Sequence, residues 1–231
     1  MKVLAVVLAR AGSKGIPGKN LRKLSGTPIV EWSIRSAMAS KLIEKVLLSS
    51  DGDEICTIGK RLGCEIHKRR EEDSMDTTSS EQSLLAALND YQESSEFTTI
   101  VLIQPTSPLT SPEDFDMAIK TFFEGKFDSM VTVVPSHTFT WNLGESELPI
   151  PDYDPERRPR RQEMGDKFSE NGAFYITNRN LLEDRKCRLG GRIGMHVMEP
   201  HHSVEIDEEA DLQILQELAN SMNLAPAPLK N

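Results

Sequence analysis

The first two-thirds of the chain alternates short β-branched runs with segments of helical periodicity, and this alternation restricts the fold more than any other feature. The apolar runs predict strands at 3–8, 45–50, 65–68, 100–104 and 129–134. Helical patterns lie between them at 28–40, 53–62, 80–91 and 112–124. Strands that alternate with helices are typical of βαβ units. We therefore predict an α/β fold with a mostly parallel sheet.

This rhythm stops between 135 and 162, where the chain is rich in proline, glutamate, arginine and aromatic residues. The segment could be a loop, a lid or an arm that packs on another subunit. Strand-like texture returns at 173–177 and 194–198, and a last helix is predicted at about 208–222. Because 231 residues fit one domain of ordinary size, we treat 1–231 as a single domain that carries an arm at 135–165.

Composition argues against several classes of function. A net charge of −9 does not favour general binding to nucleic acid or anionic lipid. No apolar run approaches the ~20 residues of a membrane helix. The three cysteines, Cys56, Cys64 and Cys187, show no C-x-x-C spacing, which argues against a disulfide framework and a structural zinc. We expect a cytoplasmic protein without a nucleic-acid or membrane partner.

The stretch "VLARAGSKGIPGKN" at 7–20 follows the first predicted strand, and residues 10–23 hold five lysines and arginines but no acid. A glycine-containing turn after a strand can direct backbone N–H groups at a phosphate while nearby cations neutralise its charge. Neither the P-loop nor the dinucleotide pattern fits, because Ser13 stands where the P-loop has glycine and Asn20 follows Gly18-Lys19. A solvated basic turn is the alternative.

Three later features also point to ligands. Gln104 ends an apolar strand, and ligands of open α/β sheets gather at the carboxyl ends of strands. "RRPRRQ" at 157–162 concentrates arginines, which suit a carboxylate. Along a strand, Glu205 and Asp207 would project on one face and converge on a hard cation. The structural alternatives are a buried glutamine, a charged surface run and a helix N-cap at Asp207.

Seven motifs in order resemble the CMP-sialic acid synthetases, the N-acylneuraminate cytidylyltransferases and their nonulosonate relatives. The motifs are "LARAGSKGIPGKN", "LLSSDGDEI" at 47–55, "RREEDSMDTTSS" at 69–80, "LIQPTSPL" at 102–109, "RRPRRQ", "ENGAFYI" at 170–176 and "HSVEIDEEADL" at 202–212. The resemblance implies a three-layer nucleotide-diphosphosugar transferase fold with a mainly parallel sheet and a dimerisation arm. It also implies that the chain, as a homodimer, uses CTP, Mg²⁺ and an acidic nonulose sugar to form a CMP-sugar and pyrophosphate.

The resemblance also implies the roles of individual residues. The nucleotide-binding set is Arg10, Ser13, Lys14, Lys19, Asn20, Arg69 and Ser80. Of these, Lys14 and Lys19 steady the leaving pyrophosphate, and Arg69 has a surface ion pair as its alternative role. Gln104 and Arg160 contact the sugar, the latter from a partner subunit, while Asp207 and Glu205 hold Mg²⁺. The residues expected to carry catalysis are Arg10, Lys14, Lys19 and Asp207.

The chain departs from the family pattern in ways that leave the acceptor open. Glu205 stands where better-known members have the first aspartate of Asp-x-Asp. Ser169-Glu170 stands where some bacterial relatives place an arginine. The alternatives to a sialic acid are a keto-deoxy-octulosonate or a diamino-nonulose. A non-catalytic nucleotide or phosphosugar sensor is the alternative to an enzyme.

Overall fold

The centre of the molecule is a seven-stranded sheet of order β11-β7-β10-β6-β1-β4-β5. The computed structural model describes residues 2–13, 15–70, 72–75, 77–144 and 147–229. The strands are β1 (Val3–Leu8), β2 (Lys23–Leu24), β3 (Thr27–Pro28), β4 (Lys45–Ser50), β5 (Glu65–Lys68), β6 (Thr99–Ile103), β7 (Ser129–Pro135), β8 (Trp141–Leu143), β9 (Pro149–Pro151), β10 (Phe168–Asn178) and β11 (Ile193–Val197). β2 pairs with β3, and β8 with β9, in two small hairpins.

The sheet is mainly parallel, as predicted. β1 lies between β4 and β6 and is parallel to both. β10 is antiparallel to both of its neighbours, β6 and β7. After β5 the chain crosses to β6 on the other side of β1, and such a reversal opens a crevice at the carboxyl ends of the strands.

Helices cover both faces of this sheet, which makes three layers. The helices are α1 (Ile29–Ala39), α2 (Asp53–Leu62), α3 (Ser80–Asp90), α4 (Pro112–Glu124), α5 (Arg179–Arg185) and α6 (Glu209–Ser221). Alternate residues of β1 face opposite sides, since Val3 and Val7 pack with α1, α2 and α4 while Leu4 and Val6 pack with α3 and α5. α6 packs against the start of α1 in a third apolar cluster.

Local sequence explains where several helices begin. Ser79 and Ser111 cap α3 and α4, and each serine is paired with the side chain three residues later in a capping box. Pro112 occupies the first turn of α4, as its missing N–H allows. The helix predicted from 28 begins instead at Ile29, because Pro28 is its N-cap and ends the β2–β3 hairpin.

One helix was not predicted, and one strand was predicted wrongly. α5 was not predicted, because seven residues are too few for a helical period to stand out. The strand predicted through Glu205 and Asp207 does not form. Instead, the Ile206 amide donates to the Thr106 carbonyl at 3.0 Å, and the Asp207 amide donates to the Asp211 carboxylate at 2.9 Å. The segment is therefore a bonded loop that leads into α6, where Glu208 and not Asp207 is the N-cap.

The predicted arm consists of the β8–β9 hairpin followed by two short 3₁₀ turns. Its apolar residues Trp141, Leu143, Leu148 and Ile150 are exposed. The edge strand β11 likewise presents alternate apolar side chains to solvent. Within the described ranges, no helix has the length and apolar character needed to cross a membrane.

Candidate active site

A cleft of about 520 Å³ lies at the carboxyl ends of β1, β5 and β6. Eight of the predicted site residues line it: Arg10, Ser13, Lys19, Asn20, Arg69, Ser80, Gln104 and Asp207. Lys14 lies outside the described residues. Segments that are far apart in sequence therefore meet in one place, at the crevice that the strand order creates.

The basic loop after β1 is fixed by hydrogen bonds at both ends. The Ala11 amide donates to the Asp51 carboxylate at 2.7 Å, and the Asn20 side-chain amide donates to the Arg10 carbonyl at 2.8 Å. Gly18 has φ +63°, a conformation that favours glycine. Asn20, predicted as a nucleotide contact, thus lines the cleft while its amide also shapes the loop.

Lys19 joins the basic loop to the acidic segment at 205–207. Its ammonium group is largely buried, bonds to the Ile206 carbonyl and lies 3.1 Å from an Asp207 carboxylate oxygen. The Asp207 side chain is 74% exposed, so its carboxylate can still accept other ligands from the cleft. The close approach needs Gly15, because a Cβ at that position would lie 2.3 Å from the Asp207 carbonyl oxygen.

Arg69 is buried at the end of β5, so its alternative role as a surface ion pair is wrong. Its Nε donates to the Ser49 hydroxyl at 2.8 Å, while its Nη2 is buried and has no hydrogen-bond partner among the described residues. Burial lowers the pKa of Arg69 to about 10, an effect that Asp51 opposes and Arg10 reinforces. The guanidinium is still protonated at neutral pH, and its Nη2 still lacks an acceptor among the described residues.

The N-terminus of α3 forms another wall of the cleft. Ser80 is its first residue and lines the cleft, whereas Ser79 is occupied by the capping box. Backbone N–H groups and the helix dipole favour an anion at such an end. Ser80, predicted as a nucleotide contact, therefore lines the cleft at a helix end that favours an anion.

Glu205 lies beside Gln104 at the edge of the cleft and does not line it. A Cβ on Gly172 would be 2.0 Å from the Glu205 carboxylate and 3.3 Å from the Gln104 side-chain oxygen. Gly172 itself has φ +62° and lies in the bulge of β10. Burial raises the pKa of Glu205, and the negative charges of Asp207 and Glu170 add to the effect while Lys19 opposes it.

Arg160 does not join the other predicted residues. It is exposed on the arm, does not line the cleft, and its backbone amide donates to the Glu163 carboxylate at 3.0 Å. Arg158 of the same cluster stacks over the Phe139 ring at 4.2 Å, also within the arm. The described part of one chain thus supplies the cleft without the arginine cluster of 157–161.

Asp51, Ser49 and Gly172 were not predicted as site residues, although all three lie inside the family-like motifs. Their roles are to hold a loop amide, to accept from Arg69 and to leave room for Glu205. No pattern in the sequence signals these roles, because each depends on a residue from another strand or loop.

Among the described residues, no three histidine, cysteine, aspartate or glutamate side chains are grouped to hold a metal ion.

Comparison with known proteins places this cleft in context. Residues 4–220 match the family model described as Cytidylyltransferase. N-acylneuraminate cytidylyltransferase A of Danio rerio is 34% identical over 219 residues, which are 93% of this chain and 50% of that protein. This chain therefore spans about half the length of that relative. Post-translational flagellin modification protein B of Campylobacter coli is 28% identical over 228 residues, with 96% of this chain and 97% of that protein covered.

Solved structures confirm the predicted fold. A CMP:2-keto-3-deoxy-manno-octonic acid synthetase complexed with CTP superposes with a TM-score of 0.72 and 16% identity. The superposition covers 97% of this chain and 100% of the other. At that identity the likeness concerns the fold alone.

Proposed function

Since the chain belongs to the cytidylyltransferase family, we propose that it transfers CMP from CTP to the anomeric hydroxyl of an acidic nonulose sugar and releases pyrophosphate. N-acetylneuraminate or a close analogue is the proposed acceptor. The observation that carries the proposal is a single cleft that gathers the basic loop, the buried Arg69 and the exposed Asp207. A relative named for N-acylneuraminate cytidylyl transfer supports it.

In this proposal the loop, α3 and Arg69 hold CTP. Arg10, Ser13, Lys14, Lys19 and Asn20 bind from the loop side, and Arg69 and Ser80 bind from the opposite wall. Support comes from the buried Nη2 of Arg69, which lacks an acceptor, and from the α3 N-terminus, which favours an anion. Lys19 and Lys14 would neutralise the charge that develops on the pyrophosphate as it leaves.

Asp207 and Glu205 would hold Mg²⁺ in this proposal. Their chemistry fits, because Mg²⁺ takes one or two carboxylates together with substrate phosphate oxygens. Glu205 is half-buried, and burial raises its pKa; the negative charge of Asp207 adds a repulsion that a cation would relieve. Bound Mg²⁺ would supply neutralisation of the phosphate charge.

The acceptor sugar would bind beside Gln104, with Arg160 from a second copy of the chain on its carboxylate. Arginine presents a planar fork that matches a carboxylate. The arm that carries Arg160 exposes Trp141, Leu143, Leu148 and Ile150, a surface that a homodimer would cover. We thus propose one domain over 1–231, with 135–165 as the dimerisation arm.

The compartment we propose is the cytoplasm. Cys56, Cys64 and Cys187 are all free thiols, and reducing compartments keep thiols in that form.

The test is pyrophosphate release in the presence of Mg²⁺, with each of the four nucleoside triphosphates. The acceptors are N-acetylneuraminate, its deaminated analogue, a keto-deoxy-octulosonate and a bacterial diamino-nonulose. Release with CTP and a nonulose is the expected result. Release with the octulosonate alone would show that the proposed acceptor is wrong. Folded protein that binds CTP without turnover would favour the alternative of a non-catalytic sensor.

Two substitutions refine this test. Asp207→Ala is expected to abolish most turnover while the thermal unfolding midpoint changes little, because its side chain is mostly exposed. Retained turnover would contradict the metal assignment. Glu205→Asp separates enzyme from sensor, since a large gain from an inactive parent would show that Glu205 had cost the chain its activity.

A further inference from the structure

Behind the cleft, a buried hydrogen-bonded chain runs from the surface to Arg69. Asp90 lies 3.3 Å from His67 Nε2, and His67 Nδ1 lies 2.9 Å from the Ser49 hydroxyl. The same hydroxyl accepts from Arg69 Nε at 2.8 Å. His67, Ser49 and Arg69 are buried, so water does not compete for these bonds.

The strand register brings these residues together. Ser49 on β4 and His67 on β5 are direct partners across the parallel pair, so their side chains lie on one face. Arg69 lies two residues beyond His67 and follows on the same face, while its amide extends the ladder to the Ser50 carbonyl at 2.9 Å. Asp90 ends α3, which packs on that face of the sheet.

The directions of the hydrogen bonds in this chain can be argued outward from Arg69. A guanidinium only donates, so the Ser49 oxygen must accept from it. His67 is the other recorded partner of this hydroxyl among the described residues, so the Ser49 proton is satisfied there only if His67 Nδ1 accepts it. This leaves the proton of His67 on Nε2, where it donates to Asp90.

The surroundings favour this neutral tautomer of His67. Burial lowers the pKa of His67, Asp90 and Asp73 oppose that effect, and the cation at Arg69 adds to it. Arg70 also pairs with Asp90 at 3.1 Å, which moderates the attraction of that carboxylate for a proton. His67 therefore accepts from Ser49 at neutral pH.

We propose that Ser49 and His67 are positioning residues that hold the Arg69 guanidinium in the orientation in which it meets the nucleotide. This inference rests on the proposed use of CTP. Arg69 forms no ion pair with a described carboxylate, so the Ser49 bond is what sets its orientation. Ser49 in turn depends on His67 to take its proton.

The first test is spectroscopic and needs no ligand. Long-range ¹H–¹⁵N correlation spectra of the full chain should show His67 protonated on Nε2 and unprotonated on Nδ1. The Arg69 Nε–H should exchange slowly with solvent, and the exchange should quicken in Ser49→Ala and His67→Ala. A proton on Nδ1 of His67 would overturn the proposed direction of the chain.

The second test is the CTP dissociation constant from titration calorimetry. Ser49→Ala is expected to weaken binding at least about tenfold, because its hydrogen bond to the charged Arg69 is lost. His67→Ala is expected to have a similar effect, because it removes the acceptor of the Ser49 proton. His67→Asn should recover part of the loss, since its side-chain oxygen can accept from Ser49. In an Arg69→Ala background, Ser49→Ala should have little further effect.

His196→Ala is the matched control. His196 is also buried near a carboxylate, but on β11 at the opposite edge of the sheet. It should leave CTP binding unchanged, so a loss there as large as that of His67→Ala would show general damage and overturn the inference. Wild-type affinity in Ser49→Ala and His67→Ala overturns it as well. A wild-type chain that binds no CTP overturns the proposed function, and this inference with it.

Discussion

Replacing Gly15 by alanine should push the basic loop away from the acidic segment. The new Cβ would lie 2.3 Å from the Asp207 carbonyl oxygen, about 1 Å short of the 3.4 Å at which ordinary contact begins. The obstacle is backbone on both sides, and no side-chain rotation relieves it. The two segments must therefore separate by about 1 Å at the point where Lys19 bonds to Ile206 and Asp207.

The expected loss of activity follows from this displacement. A misplacement of about 1 Å among groups that orient a substrate can reduce turnover by about 100-fold. Overpacking of this kind typically costs ~1–3 kcal/mol in the free energy of unfolding. We thus expect Gly15→Ala to remain folded at moderate temperature while kcat/KM for CTP falls by about two orders of magnitude.

The same loop supplies the control. A Cβ on Gly12 would have no atom within 4 Å, so Gly12→Ala should preserve both activity and stability. Both variants are assayed by pyrophosphate release with CTP and N-acetylneuraminate, beside thermal unfolding. Equal activity of Gly15→Ala and wild type would refute the close approach. Equal losses in the two variants would show that the loop tolerates no side chain for reasons unrelated to Asp207.

Other expectations test different parts of the molecule. Ser79→Ala removes the α3 cap and should lower the free energy of unfolding by ~1 kcal/mol in chemical denaturation. Leu143→Asp on the arm should yield monomers in sedimentation, and Arg160→Ala should raise KM for the sugar while KM for CTP is unchanged. Burial lowers the pKa of His67 and of His202 in the folded state. Below about pH 6.5 the unfolded chain therefore binds more protons than the folded chain, and the free energy of unfolding should decrease as the pH falls. His202→Asn should flatten that loss.

The sequence predicted elements whose cause is local. The predicted bounds are correct for β1, β4 and α2. The signals that set these bounds are the spacing of apolar residues and the glycine or capping residues at the ends, and all of them lie within a few positions of the element. The acidic segment was wrongly predicted as a strand because its alternating pattern suits a strand, while the Thr106 carbonyl and the Asp211 carboxylate take its amides. Neither partner can be read from a local pattern.

The residues of the cleft also divide into those that could be predicted from the sequence and those that could not. Gln104 could be predicted as a ligand contact from the end of its strand, whereas Arg69 was predicted only from the family resemblance. The hydroxyl that orients Arg69 could not be predicted, because Ser49 becomes its partner only through the β4–β5 register. Arg160 is a different case, because the site in which it would act belongs to a second copy of the chain. One chain alone does not bring the two together.

The fold shows that the positive charge of the basic loop is partly neutralised by residues distant in the sequence. Residues 10–23 contain no acid, which suggested a concentration of positive charge for a triphosphate. Yet Lys19 lies 3.1 Å from Asp207 and Arg22 lies 2.5 Å from Glu209, so acids nearly two hundred positions away supply the counter-charges. Net positive potential at the loop is therefore smaller than its composition suggests. In the proposed CTP site, recognition of the phosphates would therefore depend more on oriented donors, such as the α3 amides and the buried guanidinium of Arg69, than on the charge of the loop alone.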